Sequence, residues 1–188
     1  MSDSGNDYAT EPALPDLVRR AAALAVRLSF RNSCAIPYGR LLHVLAAQRT
    51  AGDIGETGTG CGVGTAWMAS AASKHSRIVT VEVDRERASA AAELFVDVPN
   101  VTVLHANWKV LMDYGPFDLL FLDGGGKRED QEVALSMVRQ GGTVVLDDLT
   151  PGRAGPDQVR DWWLNSASVR AIEVALTREH AAILAVRR

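Results

Sequence analysis

The sequence contains no apolar run long enough to cross a bilayer, no internal repeat and no low-complexity tract. A membrane-spanning helix and a repeat array are therefore not expected. It has only two cysteines, Cys34 and Cys61, with no CxxC pair and no His/Cys spacing suited to zinc. That excludes a disulfide framework and a zinc ribbon. Neither HExxH nor GxSxG occurs, so a zinc-protease helix and a hydrolase nucleophile turn are both missing. Basic excess is missing too: the formal net charge is −3, and Arg187-Arg188 is too short to form a basic stripe. Nucleic acid is not an expected partner. The opening MSDSGNDYATEP carries acids where a secretion signal would carry bases, so a cytoplasmic protein is expected.

The remaining composition, 47% hydrophobic and 23% charged, is that of an ordinary globular chain. At 188 residues it suits one domain. Residues 1–13 read as a mobile tail and 14–188 as the domain. Helical spacing of apolar residues predicts helices over Pro15–Phe30 and from Pro37 to about Arg49. Strands follow at Asp53–Thr57, Arg77–Val83, Val101–Leu104, Phe117–Leu122 and Thr143–Leu146, with helices between them at Thr65–Lys74, Arg85–Phe95 and Lys127–Arg139. A helix over Pro156–Leu164 precedes two more strands, Val169–Leu176 and Ala181–Val186. Strands with little alternation, separated by helices, imply an α/β fold in which a mostly parallel sheet carries helices on both faces. Only Thr177–His180 separates the last two of the seven strands. That is too short for a crossover, so the sheet should end in an antiparallel hairpin.

The first strand runs into Gly58, Gly60, Gly62 and Gly64, and these pass into a helix. Glycines at this density mark a tight turn or a backbone approached closely by a ligand. Strand, glycine turn and helix also present unpaired N–H groups to a polar or anionic group. The lysine of a P-loop is absent. Glu56, just before the glycines, would repel a pyrophosphate and tolerate a ligand carrying an amine or a sulfonium.

In open parallel sheets ligands sit beyond the carboxyl ends of the strands, and acids collect there. Glu82 can accept hydrogen bonds from the two hydroxyls of a ribose, whereas Asp84 reads as a helix N-cap. Asn107 offers a paired donor and acceptor for a purine edge, and Trp108 could cover a ring face; both could equally serve local turns. Asp123 and the Asp147-Asp148 pair are delivered by apolar strands to the mouth of the sheet. Like charges there raise one another's pKa unless a cation intervenes. Mg²⁺ or Ca²⁺ would suit such oxygen ligands, and turn capping is the alternative.

With these residues assembled, residues 36–188 resemble the class I S-adenosylmethionine-dependent methyltransferases, through Glu56-Thr57-Gly58-Thr59-Gly60-Cys61-Gly62. The strings FDLLFLD and GGTVVLDD, with Pro37-Tyr38-Gly39-Arg40-Leu41-Leu42, are similar to the bacterial relatives of catechol and caffeoyl-coenzyme A O-methyltransferases. The resemblance implies a Rossmann-like, doubly wound fold. It implies methyl transfer to a hydroxyl oxygen of a small molecule, with Mg²⁺ or Mn²⁺ at Asp123, Asp147 and Asp148. The cofactor contacts it implies are Glu56, Gly58, Thr59, Gly60, Gly62, Thr65, Glu82, Val83, Asn107, Trp108 and Asp123. Asp123 and Lys127 are its catalytic candidates, Lys127 as base, although Lys127 stands one residue farther from Asp123 than the family pattern has it. The family's Gly-Asp after the third strand is here Ala106-Asn107. Family members carry substrate-covering helices at the N-terminus where this chain is short, so the acceptor pocket is expected to be either open or completed by a second subunit, as in a homodimer. A metal-independent methyltransferase and a non-catalytic cofactor-binding protein on the same fold are the alternatives.

Overall fold

The computed structural model describes residues 8–48 and 50–188. Two helices come first, α1 (Asp16–Arg27) and α2 (Ile36–Ala47). The alternating part then runs β1 (Asp53–Thr57), α3 (Val63–Ala69), β2 (Arg77–Glu82), α4 (Arg85–Leu94) and β3 (Val101–His105). A short 3₁₀ helix (Trp108–Asp113) leads to β4 (Phe117–Leu122), α5 (Gln131–Ser136) and β5 (Val138–Leu149). The chain closes with α6 (Gln158–Asn165), β6 (Val169–Ala175) and β7 (Ala181–Arg187).

The seven strands form one sheet in the order β3-β2-β1-β4-β5-β7-β6. The first five are parallel, and β7 is antiparallel to both β5 and β6. The expected hairpin is present. Side-chain alternation along the central strands splits the core in two. Leu119, Phe121 and Val145 pack with α1, α2 and α3, whereas Leu120, Leu122, Val144 and Leu146 pack with α5 and α6. Both faces of β4 are therefore apolar, as expected of a central parallel strand.

Several element bounds differ from the expected ones. The helix expected at Thr65–Lys74 ends at Ala69: the Ser70 hydroxyl donates back to the Ala66 carbonyl at 2.7 Å, and a turn follows. The helix expected at Lys127–Arg139 is only Gln131–Ser136. Before it, Trp163 Nε1 donates to the Lys127 carbonyl at 3.1 Å and holds that segment off helical geometry. After it, Met137 accepts from the Phe117 amide at 2.7 Å, and Val138 and Arg139 join β5. Of the tail, residues 1–7 lie outside the described residues, as does Arg49. Tyr8 is tied down: its hydroxyl donates to the Cys34 carbonyl at 2.5 Å and accepts from Trp67 Nε1 at 3.2 Å. Glu11 pairs with Arg40 at 2.8 Å. No helix among the described residues is long and apolar enough to cross a membrane.

Candidate active site

A cavity of about 660 Å³ lies beyond the carboxyl ends of the strands. Its wall follows the strand order, with Glu82 at the end of β2, Gly58, Thr59 and Gly60 after β1, and Asp123 after β4. Asp147 and Asp148 of β5 come next, and Glu179 and His180 close the row just before β7. The segment between α1 and α2, Phe30 to Ala35, forms the opposite lip. A volume in this range is typical of sites for cofactor-sized ligands.

The glycine loop is drawn in tightly. Gly58 and Gly60 have positive φ, and a Cβ on Gly58 would come within 2.9 Å of the Gly124 amide. Its anchor is Glu82, which is buried and uses both oxygens: Oε2 accepts from the Gly60 amide at 2.8 Å, Oε1 from the Asp84 amide at 2.9 Å and Arg87 at 3.0 Å. A carboxylate has about four lone-pair directions. Three are engaged, which leaves one for a ligand. Asp84 is the expected N-cap of α4, accepting from the Arg87 amide. The Arg87 guanidinium lies 5.0 Å from the centre of the Phe30 ring, which itself lies against Gly60.

Glu56 stands outside the cavity wall. It is fully buried behind Gly64, where a Cβ would meet its Oε1 at 2.5 Å. Thr65 and Thr80 donate to its Oε2, the latter at 2.6 Å, and Oε1 has no partner. Burial pushes this carboxyl up to about 7 despite the two hydroxyls, with help from Asp147 and Glu82. Glu56 and Thr65 brace the loop from behind, and Gly62 turns it into α3 with φ 85°. Among the other residues the resemblance implicates, Val83 is exposed beside the site. Asn107 caps the 3₁₀ helix by accepting from the Lys109 amide at 3.1 Å, and Trp108 covers Gly125. Neither lines the cavity. The glycine run is knitted to β1, with the Gly124 amide donating to the Thr57 carbonyl at 2.5 Å and Thr57 Oγ1 to the Gly125 carbonyl at 2.9 Å.

Carboxylate oxygens of Asp123, Asp147 and Asp148 come within 4.8 Å of one another. A bulge brings the last two together. Leu146 pairs with Ile183 and Leu149 with Ala181, so three steps on β5 face two on β7. Asp148 takes φ 60° at that extra position. Neighbouring residues on a regular strand point to opposite faces, and this interruption lets both acids reach one cation. That cation is the Lys127 ammonium, 2.6 Å from Asp147 and 3.0 Å from Asp148. Burial pulls the Lys127 pKa down, but Asp147, Asp148 and Asp123 outweigh it and hold it above the usual lysine range. Burial raises Asp123 well above the carboxylate range, and the charge of Asp147 adds to it. Asp147 is raised as well, chiefly by burial. Three hard oxygen donors at this spacing fit a divalent cation. The expected base, Lys127, is instead a charged partner of two of those donors.

A methyltransferase domain model matches residues 56–149, the glycine loop through the end of β5. The chain belongs to the methyltransferase family. It is 30% identical over 157 residues to a Mycobacterium sp. (strain JLS) protein that carries the name O-methyltransferase, covering 78% of this chain and 67% of the relative. With a catechol O-methyltransferase of Mycobacterium tuberculosis it shares 29% over 156 residues, covering 72% and 69%. In three dimensions it is similar to the O-methyltransferase from Bacillus cereus in complex with SAH, with a TM-score of 0.76, 19% identity, and 96% and 94% of the two chains covered. That likeness speaks for the fold, the Rossmann-like methyltransferase sheet expected from the sequence.

The sequence reading did not anticipate the lip Phe30–Ala35, nor Tyr38, Thr150, Glu179 and His180. The first lies in a loop with no motif. The others carry a signal only once the sheet order is known, because Ala181 pairs with Leu149 and so brings His180 beside the acids.

Proposed function

We propose that this methyltransferase moves the methyl group of S-adenosylmethionine to a hydroxyl oxygen of a small acceptor, with a divalent cation held by Asp123, Asp147 and Asp148. The observation that carries this reading is the position of the three carboxylates, midway along the cavity between the glycine loop and the β6–β7 turn. On the β1–β2 side, Gly58, Thr59, Gly60 and Glu82 would hold the cofactor, the last with its remaining lone pair. Val83 is free to lie against a ring at the edge. Asn107 and Trp108 keep structural roles in this reading.

When bound, the cation would orient acceptor oxygens and lower the pKa of a hydroxyl. The protein's own part is to align that oxygen with the methyl group and to take up its proton. Without a cation, Asp123, raised by burial and by the charge of Asp147, would be the acid placed to take up that proton; with one, it would serve as a ligand. Lys127, kept charged by its neighbours, positions Asp147 and Asp148. A second reading is favoured by the same ion pairs: Lys127 could itself neutralise the acids, and transfer would then need no metal. Two free, buried cysteines suit a reducing compartment such as the cytoplasm.

Methyl transfer to catechol, assayed with Mg²⁺, with Mn²⁺ and with EDTA, separates these readings. Turnover that is lost in EDTA while S-adenosylhomocysteine still binds supports the cation. Undiminished turnover in EDTA supports the metal-free reading. Cofactor binding without transfer to catechols, phenols or small amines would leave a binding protein.

A further inference from the structure

A bulge that holds an aspartate at positive φ persists only where its surroundings over-determine it. The ion pair of the exposed Asp148 with Lys127 is too weak for that task. Resting on the methyltransferase reading, we propose that Tyr38 is a positioning residue for the acid end of the site. Its hydroxyl holds the bulge that turns Asp147 and Asp148 toward one point.

Tyr38 reaches the bulge from outside the sheet. Pro37 stands in the first turn of α2, and Tyr38 follows it, buried to 3% exposure. Gly39 lets the helix lie close on α3: a Cβ there would come within 2.1 Å of Trp67 Nε1. From this position the Tyr38 hydroxyl donates to the Ala181 carbonyl at 3.0 Å, with the Leu149 carbonyl 3.4 Å away as a second acceptor. Leu149 and Ala181 are the pair at which β5 and β7 return to register after the extra residue. One hydroxyl therefore bridges both strands at the step that closes the bulge. The Tyr38 ring also meets His180 edge-on, at 5.4 Å between centroids, and so supports the cavity wall next to Ala181.

The opposite face of the sheet supplies a second tie. Arg160 of α6 donates to the Thr150 carbonyl at 2.7 Å and is itself gripped by both oxygens of Glu173, at 2.7 and 3.0 Å. Helix α2 packs on one face and α6 on the other, so the chain leaving the bulge is held from both sides. The two ties differ in setting. The bond from Arg160 to Thr150 is exposed, and water can replace it at little cost. Tyr38 and its acceptors are buried, and without the hydroxyl a carbonyl is left unpaired away from water. The hydrogen bonds of Tyr38 run to Leu149 and Ala181, not to the glycine loop or Glu82. Its influence should therefore be confined to the acids and spare the cofactor half.

The test compares Tyr38→Phe, which removes the hydroxyl alone, with Leu42→Ala, which loosens the next turn of α2 and removes no hydrogen bond. Hydrogen exchange followed by NMR reads the bulge directly, through the amides of Asp148, Leu149 and Ala181. In Tyr38→Phe these should exchange on the order of fivefold faster relative to the amides of β1 and β4, as expected from one lost hydrogen bond. Leu42→Ala should not single them out. For methyl transfer to catechol, kcat/KM should fall by a similar factor in Tyr38→Phe, while the S-adenosylhomocysteine dissociation constant stays at its wild-type value. Leu42→Ala should leave both unchanged. Wild-type exchange at the bulge in Tyr38→Phe would overturn the inference, and so would equal losses of catechol turnover and cofactor affinity. A wild type that methylates no catechol counts against the methyltransferase reading alone, and the exchange rates then still decide whether Tyr38 holds the bulge.

Discussion

Glu56 makes a sharp test of how the glycine loop is built. Its carboxyl is fully buried and raised from 4.5 to about 7. Between those values the unfolded chain has lost the proton and the folded chain still holds it. The folded state binds more protons there, so stability must fall as pH rises through the window and level off above about 7. At 1.36 kcal/mol per pKa unit the loss is about 3 kcal/mol. Asp123 and Asp147 are also raised, so the wild-type curve sums several groups, and a difference is needed. Glu56→Gln keeps an acceptor for Thr65 and Thr80 and cannot ionise. Its amide takes the place of the unpartnered Oε1, a cost that does not vary with pH. Against wild type, the variant should therefore gain about 3 kcal/mol between pH 4.5 and 8, roughly 6–12 °C in Tm for a chain of this size. Calorimetric unfolding of both proteins across that range measures it. Parallel curves would mean that Glu56 is ionised throughout and that its burial is compensated in some other way.

Glu82→Ala should weaken S-adenosylhomocysteine binding by roughly tenfold or more, since it removes both the proposed ligand contact and the tie to the Gly60 amide. Asp84→Ala, which removes only a cap, should change it far less; equal effects in calorimetry would misplace the ribose. Lys127→Met leaves Asp147 and Asp148 without their ammonium, and breaking the buried Lys127–Asp147 pair costs about 3–5 kcal/mol. Added Mg²⁺ should then raise the Tm of Lys127→Met more than that of wild type, and Mn²⁺ should bind the variant more tightly by electron paramagnetic resonance. No gain in either would argue against a cation at these acids. Chelation should leave S-adenosylhomocysteine affinity unchanged within error, because the hydrogen bonds of Gly60 and Glu82 run to one another, Asp84 and Arg87 and not to the acids; a large drop would place a cation in the cofactor half.

The sheet was legible because its strands are apolar on both faces and because four residues cannot make a crossover. The 3₁₀ helix and the short α5 were not, since their bounds depend on distant partners. Trp163 reaches back to Lys127, and Met137 is taken up by the Phe117 edge. At the site, Asp123, Asp147, Asp148 and Glu82 could be read from their positions after strands. Glu56 could be recognised but not placed, because the direction of a side chain at a strand end is set by what packs behind it. Lys127 could be named, but its state follows from two carboxylates twenty and twenty-one residues away. Nothing local to the sequence states that charge.

One local irregularity connects the fold to the chemistry more directly than any motif. Were β5 to continue in register with β7, Asp147 and Asp148 would face opposite sides of the sheet, and one of them would be lost to the site. The extra residue on β5 and the left-handed backbone of Asp148 prevent this. That conformation is unfavourable for any residue but glycine, though aspartate tolerates it better than most. Asp148 is exposed, so its contact with Lys127 in high dielectric adds little stability. The distortion therefore gains the fold little, and its consequence is an arrangement of charge. It turns a second carboxylate toward the Lys127 ammonium and the other two acids, and the pairing that follows, Leu149 with Ala181, sets His180 at the cavity wall. Strain retained at a position of small stabilising value is expected where function requires the geometry.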